Sequence, residues 1–251
     1  MTETHGQTVT LFPAIDLRRG RCVRLEQGAP DRETVYESDP FRMAETFVGQ
    51  GAEWIHVVDL DAAFDEGSNR ALINELARVT PAKIQTGGGL RSEADLAEVL
   101  DGDIGRAVIG TAAIERPELV GTAVTRWGAD RIAVGLDARG LRPAVRGWQE
   151  ETEADLFEVA AALVAQGART ILYTDIARDG MFTGPNIATS LELAERVGAD
   201  VVISGGVGGM DDIDAVRDAG RRSPRIVGVI VGKAIYEGRV SVADALRRLG
   251  G

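Results

Sequence analysis

The chain has 251 residues, a formal net charge of −11 and a single cysteine, Cys22. Such an acidic chain lacks the basic face a phosphate-backbone binder needs, which excludes nucleic acid as a partner. One cysteine permits neither an intrachain disulfide nor a cysteine zinc site, and no apolar run reaches the roughly 20 residues of a membrane span.

The start, MTETHGQTV, is polar and lacks the basic and apolar regions of a signal peptide. After it, short apolar runs alternate with amphipathic stretches. Strands are predicted at 10–15, 54–59, 83–86, 106–109, 131–136, 170–174, 200–204 and 226–231, mostly continuous Val/Ile/Leu runs of the kind buried on both faces of a parallel sheet. Helices are predicted near 40–50, 69–79, 92–101, 116–127, 153–166, 187–197, 211–219 and 240–249. Ser92 and Thr152, each with an acid three residues on, are expected N-caps of their helices. Gly51, Gly128, Gly167 and Gly198 each follow a helix, where a left-handed residue is favoured. Eight βα alternations predict a (β/α)8 TIM barrel forming a single domain over residues 1–251.

The barrel reads as a half-barrel internal repeat, with halves of roughly 10–127 and 130–249. FPAIDL (12–17), QTGGGLR (85–91) and VIGTAAI (108–114) in the first half answer to AVGLDA (133–138), ISGGVGG (203–209) and VIVGKAI (229–235) in the second. In this pairing Asp16 corresponds to Asp137, Gly88 to Gly206 and Gly110 to Gly232. Two acids and two Gly-rich turns predict a ligand with a reacting centre in the middle and a phosphate at each end.

Active sites of such barrels lie at the C-terminal strand ends. Asp16, Asp59, Asp61 and Asp137 fall there, and Asp175 and Asp179 follow the sixth strand. Asp16 and Asp137 stand out because they occupy equivalent points on opposing strands, an arrangement suited to a general base and a general acid. Gly88, Gly89, Gly110 and Thr111 in one half, and Gly205, Gly206, Gly232 and Lys233 in the other, are the expected phosphate cradles. Their backbone N–H groups can hold an anion without net positive charge. His56 lies within the second strand and is read equally as a core residue or a site residue, whereas His5 sits in a polar tail and is read as inert. No metal is expected, since no carboxylate–histidine cluster has ligand spacing. Cys22 is expected to be a packed thiol. In the long loop 139–152, Trp148 could stack on a flat ring and Arg146 meet an anion; an exposed hairpin anchored by Trp148 is the plainer alternative.

Together with VRLEQG (23–28), WIHVVDLDAA (54–63), GLDARG (135–140), RGWQE (146–150) and TDIARDGMFTGPN (174–186), these motifs resemble the phosphoribosyl isomerase family of histidine biosynthesis, from residue 11 to the C-terminal region. The resemblance implies an Amadori rearrangement of a phosphoribosylformimino aminoimidazole carboxamide ribotide, an aminoaldose-to-aminoketose isomerisation that needs no cofactor. It implies Asp16 as base and Asp137 as proton donor, with Asp179 a rival for the acid role. Arg24, His56, Arg146, Trp148 and Thr174 become substrate-binding positions. The implied partner is a small bisphosphorylated ribonucleotide, handled by a cytoplasmic protein expected to be a monomer. Arg146 and the segment 58–70 also resemble bifunctional relatives that isomerise phosphoribosyl anthranilate, which gives a second expectation of dual specificity. A related cyclase is disfavoured because Leu17 and Ala138 stand where that family has lysines.

Overall fold

Continuous apolar runs become strands here because both faces of each are covered, by side chains filling the barrel inside and by helices outside. A computed structural model of the chain describes residues 8–26 and 29–250. Eight parallel strands form the barrel: β1 Thr10–Arg18, β2 Trp54–Asp59, β3 Lys83–Gly87, β4 Arg106–Ile109, β5 Ile132–Arg139, β6 Thr170–Asp175, β7 Asp200–Ser204 and β8 Ile226–Val231. Each pairs with the next; β1 also pairs with β8, and β5 with β6, so the sheet closes. The interior holds Phe12, Ala14, Val108, Ala133, Leu172, Val202 and Ile230, and a larger apolar layer lies between strands and helices. No helix of the described residues is long and apolar enough to cross a membrane.

β1 and β5 run beyond their predicted ends, and both then fold back. β1 turns at Arg19 and Gly20, with φ of 51° and 72°, and returns as strand Arg21–Glu26, which sets Val23 opposite Asp16. A further strand, Ala29–Glu37, pairs with Arg21–Glu26. β5 turns at Gly140, with φ of 59°, and returns as Arg142–Val145, which pairs in turn with Glu150–Glu151. Both hairpins begin with a two-residue turn that opens on a positive φ, the geometry whose twist matches that of paired strands.

Two expectations need correction. Thr152 does not cap the helix after β5, because Leu156–Ala165 starts later and Asp155 accepts from the N–H groups of Phe157 and Glu158; the Thr152 hydroxyl instead donates to the Pro143 carbonyl. The glycine turns also pair differently. Gly88 and Gly89 have φ of 100° and 63°, Gly205 and Gly206 of 83° and 91°. A Cβ on Gly88 would lie 2.2 Å from the carbonyl oxygen of Asp59 at the end of β2; one on Gly205 would lie 2.9 Å from that of Asp175 at the end of β6. Gly88 therefore corresponds to Gly205 rather than Gly206. Ser92 does cap its helix, accepting from the N–H of Asp95. Gly51, Gly128, Gly167 and Gly198 all have positive φ. His5 and Gly28 lie outside the described residues.

Candidate active site

A cavity of about 520 Å³ opens at the C-terminal ends of the strands. All sixteen predicted site positions line it: Asp16, Arg24, His56, Gly88, Gly89, Gly110, Thr111, Asp137, Arg146, Trp148, Thr174, Asp179, Gly205, Gly206, Gly232 and Lys233. In the closed ring β3 and β4 lie opposite β7 and β8, so the two glycine-rich regions face each other. Asp16 on β1 and Asp137 on β5 lie on the intervening walls.

The hairpin after β1 carries Arg24 back over its strand. Its guanidinium donates to the Asp16 carboxylate at 2.6 Å and to the Ala14 carbonyl at 2.7 Å, and it lies over the Tyr236 ring. Burial pushes the Asp16 carboxyl above the ordinary carboxylate range, and Arg24 opposes that push. Trp148 reaches Asp137 from further along, in the turn 146–149 beyond the returning strand Arg142–Val145. Its indole N–H donates to Asp137 at 2.8 Å, and Thr174, in register with Asp137, adds a second side-chain hydrogen bond. Burial raises the Asp137 carboxyl too, and these two neutral groups counter it without a cation. Asp179, in the turn after β6, is pushed up to about 6, first by burial, with Arg24 lowering it and Asp16 and Asp137 raising it further. Three acids of unequal surroundings thus share one cavity, the condition for dividing acid and base roles.

Of the other strand-end carboxylates, Asp59 and Asp61 are structural. Asp59 caps Leu60–Ala63 through the Ala62 N–H and accepts from Ser68 and from both nitrogens of Asn69. Asp61 accepts from the Arg19 N–H and from Asn69. Asp175 is likewise tied to Asn186, Arg178 and the Ala177 N–H. Cys22 is buried, and its thiol is pushed up to about 12, in keeping with a packed residue.

Around the glycine turns, Gly110 precedes the short helix Thr111–Glu115 and Gly232 precedes Lys233–Tyr236, with matching backbone angles (φ −93°, ψ −109° and φ −110°, ψ −97°). The Lys233 ammonium donates to the Gly180 carbonyl. Arg146 lines the cavity, but its guanidinium is paired with Glu150 and Glu115, while its backbone N–H donates to Thr111. Residues 139–152 form a hairpin whose Trp148 is anchored on Asp137 and lines the cavity. Arg91 and Arg116 also line the cavity beside the first glycine turn, two cations absent from the sequence-based expectation. The signal was there for Arg91, which directly follows GGGL.

Half-buried acids between two glycine-lined turns, at the C-terminal mouth of a closed parallel barrel, place the chain in the class of (β/α)8 enzymes. Residues 10–241 match the family model described as histidine biosynthesis protein. The chain is 44% identical over 242 residues to a protein of Brevibacillus brevis, covering 96% of each, and 41% identical to one of Bacillus subtilis, covering 96% of this chain and 97% of the relative. It is also 43% identical to a protein of Rhodopseudomonas palustris, with 94% and 96% covered. All three are named as the isomerase of 1-(5-phosphoribosyl)-5-((5-phosphoribosylamino)methylideneamino) imidazole-4-carboxamide. The chain belongs to the histidine biosynthesis protein family. The expectation of dual specificity draws no support from these names.

Proposed function

We propose that this chain is an aldose–ketose isomerase that rearranges the phosphoribosylformimino-5-aminoimidazole-4-carboxamide ribotide in histidine biosynthesis, acting as a monomer in the reducing cytoplasm. The observation that carries the reading is the placement of Asp16 and Asp137 on opposing walls, midway between two glycine turns. A ligand with a phosphate at each end would bring its central sugar between the two acids. Lys233 and the N–H groups after Gly232 would take one phosphate, and the turns at Gly88 and Gly110 with Thr111 the other.

The roles follow from the surroundings. Asp137, held by neutral donors, suits a protonated acid, and Asp179, which shares the cavity and feels its charge, is the rival for that role. It gives a proton to the ring oxygen, the C1–O bond breaks, and the nitrogen lone pair completes a protonated Schiff base. Asp16, paired with Arg24, suits the ionised base: it removes the C2 proton, and the C–H electrons form the C1=C2 bond of an enolamine. Protonation at C1 and loss of the C2 hydroxyl proton give the aminoketose. Protons are only moved, so side chains suffice.

The test is steady-state turnover of the purified chain on that aminoaldose, with chromatographic separation of the ketose. Conversion at catalytic protein concentration is expected. Recovery of unchanged aldose from a folded, stoichiometric sample would overturn the reading.

A further inference from the structure

His56, Gln85 and Arg106 lie side by side on β2, β3 and β4, since the register places His56 opposite Gln85 and Gln85 opposite Arg106. Their side chains form a chain across the barrel floor. The Arg106 guanidinium donates to the Gln85 amide oxygen at 3.2 Å, and the Gln85 amide nitrogen lies 3.1 Å from Nδ1 of His56. Gln85 has no exposed surface. Arg106 is itself fixed, packed over the Trp54 ring and donating to the Asp130 carbonyl.

The proton positions follow from valence. A guanidinium has donors only, so the amide atom facing Arg106 must be the oxygen. The amide then presents its NH2 to His56, and Nδ1 must accept. A neutral imidazole with an accepting Nδ1 carries its hydrogen on Nε2. An imidazolium would place N–H against NH2, and turning the amide round to relieve that would place NH2 against the guanidinium. Burial and the nearby Arg24 charge act in the same direction, lowering the His56 pKa to about 3.

We infer that Arg106 and Gln85 are positioning residues that lock His56 as the neutral Nε2–H tautomer, a fixed hydrogen-bond donor to a sugar oxygen of the ligand in the cavity. The inference rests on the isomerase reading for the identity of that oxygen. Such a donor polarises the oxygen without competing with Asp16 for the C2 proton, since it has no basic nitrogen free to take one. A neutral histidine can serve as an electrophile in this way.

The tautomer can be read directly from the 15N imidazole resonances of histidine-labelled protein carrying His5→Gln, which leaves one histidine. A pyridine-like Nδ1 and a pyrrole-like Nε2 are expected, unchanged across the ordinary histidine titration range. A pyrrole-like Nδ1, or an imidazolium pattern near neutral pH, would overturn the inference. Gln85→Glu keeps the partner of Arg106 but sets an acceptor against Nδ1, so the pattern should invert or become imidazolium. Then kcat/KM should fall about 10–100-fold, the usual cost of losing an outer partner that orients a histidine, and mainly through kcat. An unchanged ring pattern, or an altered pattern with kcat/KM within about twofold of the wild type, would each count decisively against it. Should Gln85→Glu not fold, Arg106→Met frees the amide to turn and should give a mixture of tautomers; one unchanged tautomer would refute the lock. The resonances need no substrate, so a wild-type protein without turnover would sink the isomerase reading while leaving the tautomer result intact.

Discussion

The hairpins after β1 and β5 are built alike and finish differently. Each begins with a tight turn of positive φ and runs back beside its own strand; the first lays a side chain of that returning strand on the aspartate, the second one from the turn beyond it. From the first hairpin comes a guanidinium, Arg24 on Asp16; from the second comes an indole N–H, Trp148 on Asp137. Two returning segments, with different donors, therefore give two half-buried carboxyls different proton affinities. A cation stabilises the ionised form strongly, whereas a neutral donor with the hydroxyl of Thr174 does so less. The lesson is that near-symmetry in the chain supplies the placement, and the returning side chain supplies the chemistry.

This contrast can be broken most severely at the acids themselves. Asp16→Asn and Asp137→Asn keep shape and remove the proton, so turnover should fall by about 10²–10⁴-fold in each, the range for general acid–base groups. Near-normal steady-state rates in either variant would end its assignment. Next comes Arg24→Met, which leaves Asp16 buried without its partner. Breaking a pair that is mostly but not fully buried should cost on the order of 1–3 kcal/mol, below the roughly 3–5 kcal/mol of a fully buried pair, measurable by chemical denaturation. Arg24 lowers the Asp16 pKa, so its loss raises that pKa further. The acidic limb of the kcat/KM profile should move to higher pH, with activity returning as pH rises. A lower stability with an unmoved acidic limb would show that the cation serves only the fold.

Trp148→Phe tests the second hairpin. Losing a hydrogen bond to a carboxyl that works in its neutral form costs about 0.5–1.5 kcal/mol. The Trp148 N–H lowers the Asp137 pKa, so its removal raises it. The alkaline limb, set by the acid that must hold its proton, should move up in pH while the acidic limb stays. Movement of both limbs together would mean that the two acids titrate as one unit. The last test concerns Asp179. Its folded pKa, about 6, lies above its unfolded value, so protonation favours the folded state and the ionised group costs stability at neutral pH. Asp179→Asn should therefore be more stable than wild type above about pH 6, by on the order of 1–3 kcal/mol, with the gain fading as pH falls from about 6 to about 4 and absent below that. Thermal melts at several pH values would check this, and equal stability throughout would contradict the burial of its charge.

Much of this was legible because buried parallel strands are uninterrupted apolar runs. β2, β4, β7 and β8 begin and end at the residues the runs predict. β1 and β5 extend past the ends their apolar runs predict, since their final residues enter hairpins whose registry depends on a turn rather than on composition. The paired signals Arg19-Gly20 and Arg139-Gly140, each just past a strand-end aspartate, mark those turns, but their registry is not in the apolar pattern. Without them Arg24 was a motif position rather than the partner of Asp16. The shifted match of Gly88 with Gly205 was hidden for another reason: the strings GGG and GG align equally well in two ways, and only backbone contacts choose between them. Thr152 and Asp155 show the same limit, because a capping sequence does not reveal where a preceding hairpin releases the chain.

In the second hairpin Arg146, Gly147 and Trp148 are consecutive residues with φ of 55°, 64° and 69°. For the two that carry a side chain, this conformation costs about 1–3 kcal/mol each. Gly147 has no alternative, since a Cβ there would meet the Phe64 ring at 2.8 Å. The segment behaves as a wound spring, with catches at Thr111 on the backbone of Arg146 and at Asp137 on the indole of Trp148. A ligand that claims the Asp137 carboxyl or the Thr111 hydroxyl releases a catch, and the stored strain then works toward opening. The expected consequence is kinetic: departure of the bound molecule should be hastened by the loop that covered it, a coupling that stopped-flow fluorescence of Trp148 can time against product appearance.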